Sequence, residues 1–191
     1  EGGMALSNNA ELAAHMARLR SHGIRQTAAI QAAEGPWYYE QIELGFNYRM
    51  TDMQAALGLS QLARLDDYVA ARRRLADRYD TLLSGLPLTT PARDANAESA
   101  WHLYVIRLDD AVLAKPGRRV VFERLRAAGI GVNVHYIPVH LQPDYRRLGF
   151  GPGDFPVAED YYARAITLPL YPGLSDADQD RVVAELKGAL A

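Results

Sequence analysis

An apolar pattern with helical spacing runs from Thr51 to Gly85 and divides the chain into two unlike parts. Along it apolar residues recur every three to four positions, which is the period of an α-helix. Thr51, followed three residues later by Gln54, is typical of a capping box at a helix start. One unbroken helix of this length would exceed the roughly 8–20 residues usual in globular proteins. We therefore predict a short helix, a bend between Gly58 and Arg64, and a longer connecting helix.

The part after this pattern alternates strand and helix signals. Residues 102–108 alternate like a strand, 118–128 have a helical apolar face, and 166–170 are extended. Residues 130–136 read as another strand, with Ile130, Val132, Val134 and Tyr136 on its core face. A last helix begins after Ser175, which with Asp178 resembles a capping pair. This order predicts a compact α/β domain, with 64–85 as the connecting helix and 86–191 as the small domain.

The part before the pattern is shorter and less regular. Residues 3–6 read as a short strand, Asn8 or Asn9 can cap a following helix, and 24–44 show no clear period. The sequence begins at Glu1 without an initiator methionine and passes directly into this apparent strand. We therefore expect residues 1–63 to be the remainder of a larger domain whose other residues lie upstream.

Composition excludes several classes of function. A net charge of −2 gives no electrostatic case for binding nucleic acid or an anionic membrane surface, and no apolar run approaches the length of a membrane span. The chain has no cysteine, so it can form neither a disulfide framework nor a thiolate metal site, which fits a reducing compartment. Ordinary hydrophobic and charged fractions of 49% and 23% indicate a globular protein.

The stretch 45–54 carries the clearest candidate site. Asn47 and Arg49 are polar residues among aromatic and apolar neighbours, immediately before the predicted helix start at Thr51. Backbone N–H groups and the positive end of a helix dipole favour an anion there. The alternative is an ordinary polar loop that only caps the helix. His22, at the end of the preceding helix, is a second candidate for a binding role.

Two histidines, His135 and His140, flank a proline-containing loop in the second part. They could bind zinc only with a third ligand, and none stands at a suitable spacing, so we predict no metal. They either line a site for an anionic small molecule or simply pack. The two lysines, Lys115 and Lys187, lie in a loop and in the last helical turn, and neither suits a low-pKa amine. The residues alone thus predict a small-molecule-binding α/β protein.

Five motifs carry a resemblance that covers essentially the whole chain. They are Glu1-Gly2-Gly3-Met4, Arg20-Ser21-His22-Gly23, Gly45-Phe46-Asn47-Tyr48-Arg49-Met50-Thr51-Asp52, Val134-His135-Tyr136-Ile137-Pro138-Val139-His140 and Leu168-Pro169-Leu170-Tyr171-Pro172-Gly173-Leu174. In this order they resemble the C-terminal half of the DegT/StrS-type nucleotide-sugar aminotransferases, which are pyridoxal-phosphate enzymes of fold type I. The resemblance implies an α/β chain with part of the large cofactor-binding domain (1–63) and a complete small C-terminal α/β domain.

The same resemblance implies roles for individual residues. Asn47 corresponds to the asparagine that reaches the cofactor phosphate of the other subunit, so the site would be shared across a homodimer. Arg49 would contact the substrate diphosphate or the cofactor phosphate. The remaining implied substrate-binding residues are Tyr48, His22, His135, Tyr136 and His140. The lysine that forms the Schiff base would lie upstream of Glu1, so residues 1–191 alone are expected to be inactive.

The implied reaction transfers an amino group from glutamate to C4 of a UDP-4-keto-6-deoxy-N-acetylhexosamine, in the cytoplasm. The sequence is most similar to the subgroup that works in pseudaminic acid biosynthesis, although Asn133 stands where that subgroup is expected to have glutamine. Three alternatives remain open: an aminotransferase for another keto-sugar nucleotide, a sugar dehydratase in which histidine replaces the lysine, and a non-enzymatic binding module.

Overall fold

A computed structural model describes residues 3–191 and divides the chain into two compact units, Glu1–Ala63 and Arg64–Ala191. The first unit contains α1 (Ala10–Arg20), β1 (Ile24–Arg25), α2 (Ala28–Glu34), β2 (Glu40–Gln41) and α3 (Asp52–Leu62). The second contains α4 (Leu65–Leu82), β3 (Leu88–Thr89), β4 (Tyr104–Leu108), α5 (Asp110–Ala114), α6 (Arg118–Ala127), a 3-10 turn (Val139–Leu141), α7 (Pro143–Arg146), α8 (Pro156–Arg164), β5 (Ala165–Leu168) and α9 (Asp176–Leu190).

Side-chain caps set where the helices of the first unit begin. The Asn9 side chain accepts from the backbone N–H of Leu12 at the start of α1. At the start of α3, Thr51 and Gln54 form the predicted capping box, which confirms that boundary. Because each cap satisfies backbone donors that the helix itself leaves unpaired, these starts depend only on neighbouring residues.

Two predictions for the first unit need correction. Residues 3–6 form no strand: Met4 and Leu6 are more than four-fifths exposed, because no described strand lies beside them to pair with. Residues 24–44, which show no period in the sequence, form β1, α2 and β2. β1 and β2 pair antiparallel, with Ile24 opposite Gln41.

The long helical pattern is broken where the sequence predicts a bend. α3 ends at Leu62 and α4 begins at Leu65, so the interruption falls within the predicted range Gly58 to Arg64. α4 belongs to the second unit. Its buried side chains, Leu75, Ala76 and Tyr79, recur at helical spacing along one face.

The second unit is built around an antiparallel sheet in the order β3-β4-β5, with Leu88 opposite Leu108 and Ile106 opposite Ile166. β4 alternates between buried and less buried positions as its sequence predicts. Side chains from the sheet and from α4, α6 and α9 share one core. Its fully buried members include Leu75, Tyr79, Tyr104, Ile106, Leu125, Ile166 and Leu186.

The predicted strand at residues 130–136 is only partly correct. Ile130 and Val132 are buried as expected, but within the described part of the chain pairing is limited to a single bridge between Asn133 and Thr167 of β5. Beyond that bridge nothing imposes the two-residue alternation, and Tyr136, predicted to be a core residue, is 67% exposed. Within residues 3–191, no helix is both long and apolar enough to cross a membrane.

Candidate functional site

The loop that carries Asn47 is fastened to the end of α1 by backbone hydrogen bonds. The N–H of Phe46 donates to the carbonyl of Leu19 over 2.7 Å, and the N–H of His22 donates to the carbonyl of Phe46 over 2.8 Å. Asn47 itself forms an antiparallel bridge with Ser21. The backbone around Asn47 is therefore held against the end of α1, although Asn47 lies outside regular secondary structure.

Two glycines allow this close approach. A Cβ atom at Gly45 would lie 2.2 Å from the backbone nitrogen of Gly23, and one at Gly23 would lie 2.0 Å from the carbonyl oxygen of Glu43. Gly23 also has a φ of +70°, which side-chain-bearing residues rarely adopt. Any side chain at either position would push the two backbone segments apart.

Glu43 ties the same loop to α1 through its side chain. One carboxylate oxygen accepts from Nε of Arg18 over 2.9 Å, and the other lies 2.7 Å from Nε2 of His15. The hydrogen bond from Arg18 lowers the pKa of Glu43 below its ordinary value, and His15 lowers it further against the opposing effect of desolvation. Sequence reasoning missed Glu43. The only signal was the three-residue spacing of His15 and Arg18, which places both on one helix face.

The side chains that follow point away from these anchors. Asn47, Tyr48 and Arg49 are exposed, and the rings of Phe46 and Tyr48 are stacked, with centroids 4.8 Å apart. The helix start at α3 is capped by Thr51 and Gln54, so Asn47 and Arg49 are not needed as caps.

The side-chain amide of Asn47 and the guanidinium of Arg49 form no hydrogen bond with another of the described residues. An amide N–H and a fork of guanidinium donors beside a helix start suit a phosphate group. The residues present thus fit an anionic cofactor or substrate group at this loop.

His22 contributes to the loop through its backbone. It has a φ of 64°, donates its N–H to Phe46 and accepts at its carbonyl oxygen from Nε2 of Gln41. His22, Asn47, Tyr48 and Arg49 thus all lie in the first unit, where the loop runs along the end of α1. Their contact with cofactor or substrate stays a prediction.

The other three candidates lie in the second unit. His135 is half-buried, with Nδ1 hydrogen-bonded to Oγ1 of Thr167 over 2.8 Å and Nε2 lying 3.3 Å from the side-chain nitrogen of Asn133. Tyr136 stands edge-on to the His135 ring. It also borders an open groove of about 620 Å³, whose other lining residues are Pro138, Asp154, Phe155, Pro156, Val157, Ala158 and Tyr161.

His140 differs from His135 in being buried. Its Nε2 lies 2.9 Å from a carboxylate oxygen of Glu159, which also accepts from the backbone N–H of Gly153. Hydrogen bonds from His140 first, and then from Gly153, lower the pKa of Glu159 below its ordinary value. The His140 ring packs against Phe155, a groove residue, with centroids 4.8 Å apart. Glu159 is the second charged residue that the sequence did not reveal.

The described residues contain no group of side chains arranged to bind a metal ion and no buried lysine. Among residues 3–191, no three His, Asp or Glu side chains lie close enough together to hold a metal ion. Lys115 and Lys187 are both exposed to solvent, unlike a lysine enclosed in a pocket for Schiff-base chemistry.

Comparison with known proteins gives a match to one protein family. The model of the DegT/DnrJ/EryC1/StrS aminotransferase family matches residues 1–187. The spore coat polysaccharide biosynthesis protein SpsC of Bacillus subtilis is 40% identical over 190 residues, covering 98% of this chain and 49% of SpsC. The chain therefore spans about half the length of the curated relatives it matches.

Solved structures agree with the family match. Spr1654 of Streptococcus pneumoniae, a candidate sugar aminotransferase, superposes in its PMP form with a TM-score of 0.87 at 32% identity, covering 98% of this chain and 47% of that one. The same protein has also been solved in a PLP form. PseC of Helicobacter pylori, an aminotransferase of pseudaminic acid biosynthesis, superposes with a TM-score of 0.83 at 27% identity over 96% of this chain and 47% of PseC. The predicted fold, part of a fold type I aminotransferase, is confirmed.

Proposed function

The chain belongs to the DegT/DnrJ/EryC1/StrS aminotransferase family, and we propose that the whole protein transfers an amino group from glutamate to C4 of a UDP-4-keto-6-deoxy-N-acetylhexosamine. The family and the neighbour solved in PLP form indicate pyridoxal 5′-phosphate as the cofactor. When bound, this cofactor supplies the electron sink that lets an amino group leave one carbon and join another. We propose that its Schiff-base lysine lies in the part of the whole protein that this chain does not span.

The observation that carries the proposal is the anchored Asn47 loop. Its backbone is fixed to α1, while the Asn47 and Arg49 donors remain exposed and unused within the described residues. In our proposal the Asn47 amide donates to the cofactor phosphate of the partner subunit. Arg49 binds the substrate diphosphate through its planar fork, which holds the sugar carbonyl in position.

In the second unit, His135 and Tyr136 are proposed to line the sugar-nucleotide pocket. The imidazole of His135 is held in orientation by Thr167, and Tyr136 presents an exposed ring beside the groove. His140 is proposed to contribute to the same pocket, next to Phe155, against which its ring packs. Tyr48 and His22 are proposed to lie beside the substrate near Asn47. We further propose a cytoplasmic location, which the absence of cysteine fits.

A specific observation favours one other substrate assignment. A relative other than PseC, the spore coat polysaccharide biosynthesis protein SpsC, is 40% identical to the chain, so an aminotransferase for a different keto-sugar nucleotide is the second candidate. Both candidates use glutamate and the same cofactor, and they differ only in the sugar or nucleotide accepted.

The test uses the full-length protein with pyridoxal phosphate and glutamate against a panel of UDP-, dTDP- and GDP-linked 4-keto sugars. We expect an amino sugar from the UDP-linked N-acetylhexosamine, and loss of the visible absorbance of the bound cofactor when glutamate is added alone. Preference for another member of the panel would select the second candidate. A deoxygenated sugar without an amino group would instead indicate a dehydratase, and failure to take up the cofactor would refute both candidates.

The shared site can be tested by mixing two variants at a pyridoxal phosphate concentration too low to load the Asn47→Ala variant. Asn47→Ala is combined with a variant that lacks the upstream cofactor lysine. If Asn47 serves the partner's cofactor, a mixed dimer contains one site with both groups intact, so activity returns on mixing. If Asn47 serves its own subunit, every site lacks one group and no activity returns. Asn96→Ala, another exposed asparagine, is the matched control and should stay active alone.

A further inference from the structure

The loop around Asn47 is held by one side chain as well as by its backbone. Glu43 lies on the segment that runs from β2 to Asn47, and both of its carboxylate oxygens are engaged by α1, through His15 and Arg18. By contrast Glu40, on the same segment, pairs among residues 3–191 only with Arg25, across the two-stranded ribbon. The Glu43 side chain thus attaches this segment to α1.

We infer that Glu43 is a positioning residue that fixes where Asn47 presents its amide, an inference that rests on the proposed role of Asn47 toward the cofactor phosphate. Glu43 precedes the loop's tightest point, the contact between Gly45 and Gly23, and the Asn47–Ser21 bridge follows it. With both ends attached to α1, the short segment between them has little freedom to move.

The contact between the glycines cannot do this alone. Two glycines in contact offer no side chain that interlocks, and glycine gives the backbone more freedom than any other residue. The carboxylate supplies the missing restraint, because its two oxygens are held by donors one helical turn apart on a rigid helix. Without it, the loop would keep its backbone hydrogen bonds but occupy a wider range of positions.

Removal of the carboxylate should leave the protein folded. The side chains of His15, Arg18 and Glu43 are each between 28% and 43% exposed, so water can solvate the two partners that lose Glu43. The expected damage is therefore to phosphate binding. By analogy with residues that hold a ligand-binding side chain in orientation without touching the ligand, the affinity for pyridoxal phosphate should fall by roughly tenfold.

The experiment measures binding of pyridoxal phosphate and of pyridoxal, which lacks the phosphate, to the full-length apoprotein. We expect Glu43→Ala to weaken pyridoxal phosphate roughly tenfold and to leave pyridoxal unchanged. Glu43→Gln should restore binding, because its amide oxygen can accept from Arg18 and its amide nitrogen can face Nε2 of His15. Glu40→Ala, the matched control, should bind both compounds as wild type does.

A double variant separates positioning from general damage. In an Asn47→Ala background, Glu43→Ala should cause no further loss of pyridoxal phosphate affinity, since the group it positions is gone. Equal weakening of pyridoxal and pyridoxal phosphate, or a full additional loss in the double variant, would overturn the inference. If Asn47→Ala alone leaves pyridoxal phosphate affinity unchanged, the proposed phosphate role of Asn47 fails, and the inference about Glu43 falls with it.

Discussion

Replacement of Gly45 by alanine tests the backbone contact on which the whole Asn47 loop depends. The new Cβ would sit 2.2 Å from the Gly23 nitrogen and 2.5 Å from the His22 carbonyl carbon. Both neighbours are backbone atoms, so no side-chain rotation relieves the overlap. The two segments would have to separate by more than about 1 Å to bring this pair of atoms to the roughly 3.5 Å of an ordinary contact.

That separation lengthens two hydrogen bonds past their useful range. The Phe46 N–H bond to Leu19 is 2.7 Å long and the His22 N–H bond to Phe46 is 2.8 Å long, and an extra 1 Å takes both beyond about 3.5 Å. At about 1 kcal/mol net for each bond, the loop loses roughly 2 kcal/mol. A loss of this size corresponds to a roughly thirtyfold increase in the population of the open loop.

Hydrogen exchange of the His22 and Phe46 amides in the full-length protein measures this opening directly. We expect both amides to exchange roughly thirtyfold faster in Gly45→Ala. Gly188→Ala is the control: it lies in α9, its Cβ would meet nothing within 4 Å, and it should stabilise that helix by about 0.5–1 kcal/mol. Wild-type exchange at Phe46 in Gly45→Ala would refute the described contact between the two segments.

Three further predictions concern other parts of the chain. Leu125→Ala, at a fully buried position, should lower the free energy of unfolding by about 2–5 kcal/mol, whereas Val157→Ala, at an 85% exposed one, should change it by less than about 0.5 kcal/mol in denaturant titrations. The pKa of Glu159 in the folded protein lies below its ordinary value of 4.5. The ionised carboxylate therefore stabilises the folded protein fully above pH 4.5, and this contribution is lost as the pH falls through the pKa of the folded state. The difference in unfolding free energy between wild type and Glu159→Gln should accordingly shrink below pH 4.5. Arg49→Lys keeps the positive charge but loses the planar guanidinium that can make two parallel hydrogen bonds, and should raise KM for the nucleotide sugar by roughly tenfold. Arg126→Lys, at another exposed arginine, should leave this KM unchanged.

The features that the sequence predicted correctly are those encoded within a few residues. The caps at Asn9, Thr51 and Ser175 each join a side chain to a backbone N–H three positions on, so both partners are visible in the sequence. α2 was not predicted, because its sequence gives only a weak helical signal. It has no buried residue, hence no apolar stripe, and only its alanine content and the Thr27 cap indicate a helix.

The parts of the site that escaped prediction join distant segments. The contact of Gly23 with Gly45 and that of Glu43 with α1 depend on how the loop is registered against the helix end, which no local period specifies. The position of Asn47 and Arg49 just before a helix start was predictable because the Thr51–Gln54 capping box is a local signal, and their binding role stays a prediction. Tyr136 was misplaced because a two-residue alternation was extended past the last pairing partner.

His135 and His140 show why residue type alone could not decide between packing and binding. Both hydrogen-bond to side chains, but His135 remains half-buried beside an exposed tyrosine, whereas His140 is enclosed and shares Glu159 with the backbone of Gly153. Any effect of His140 on a substrate in the groove would have to pass through Phe155, against which its ring packs. His140→Gln and Glu159→Gln would then alter the same kinetic constant, whereas direct substrate contact by His140 would separate them.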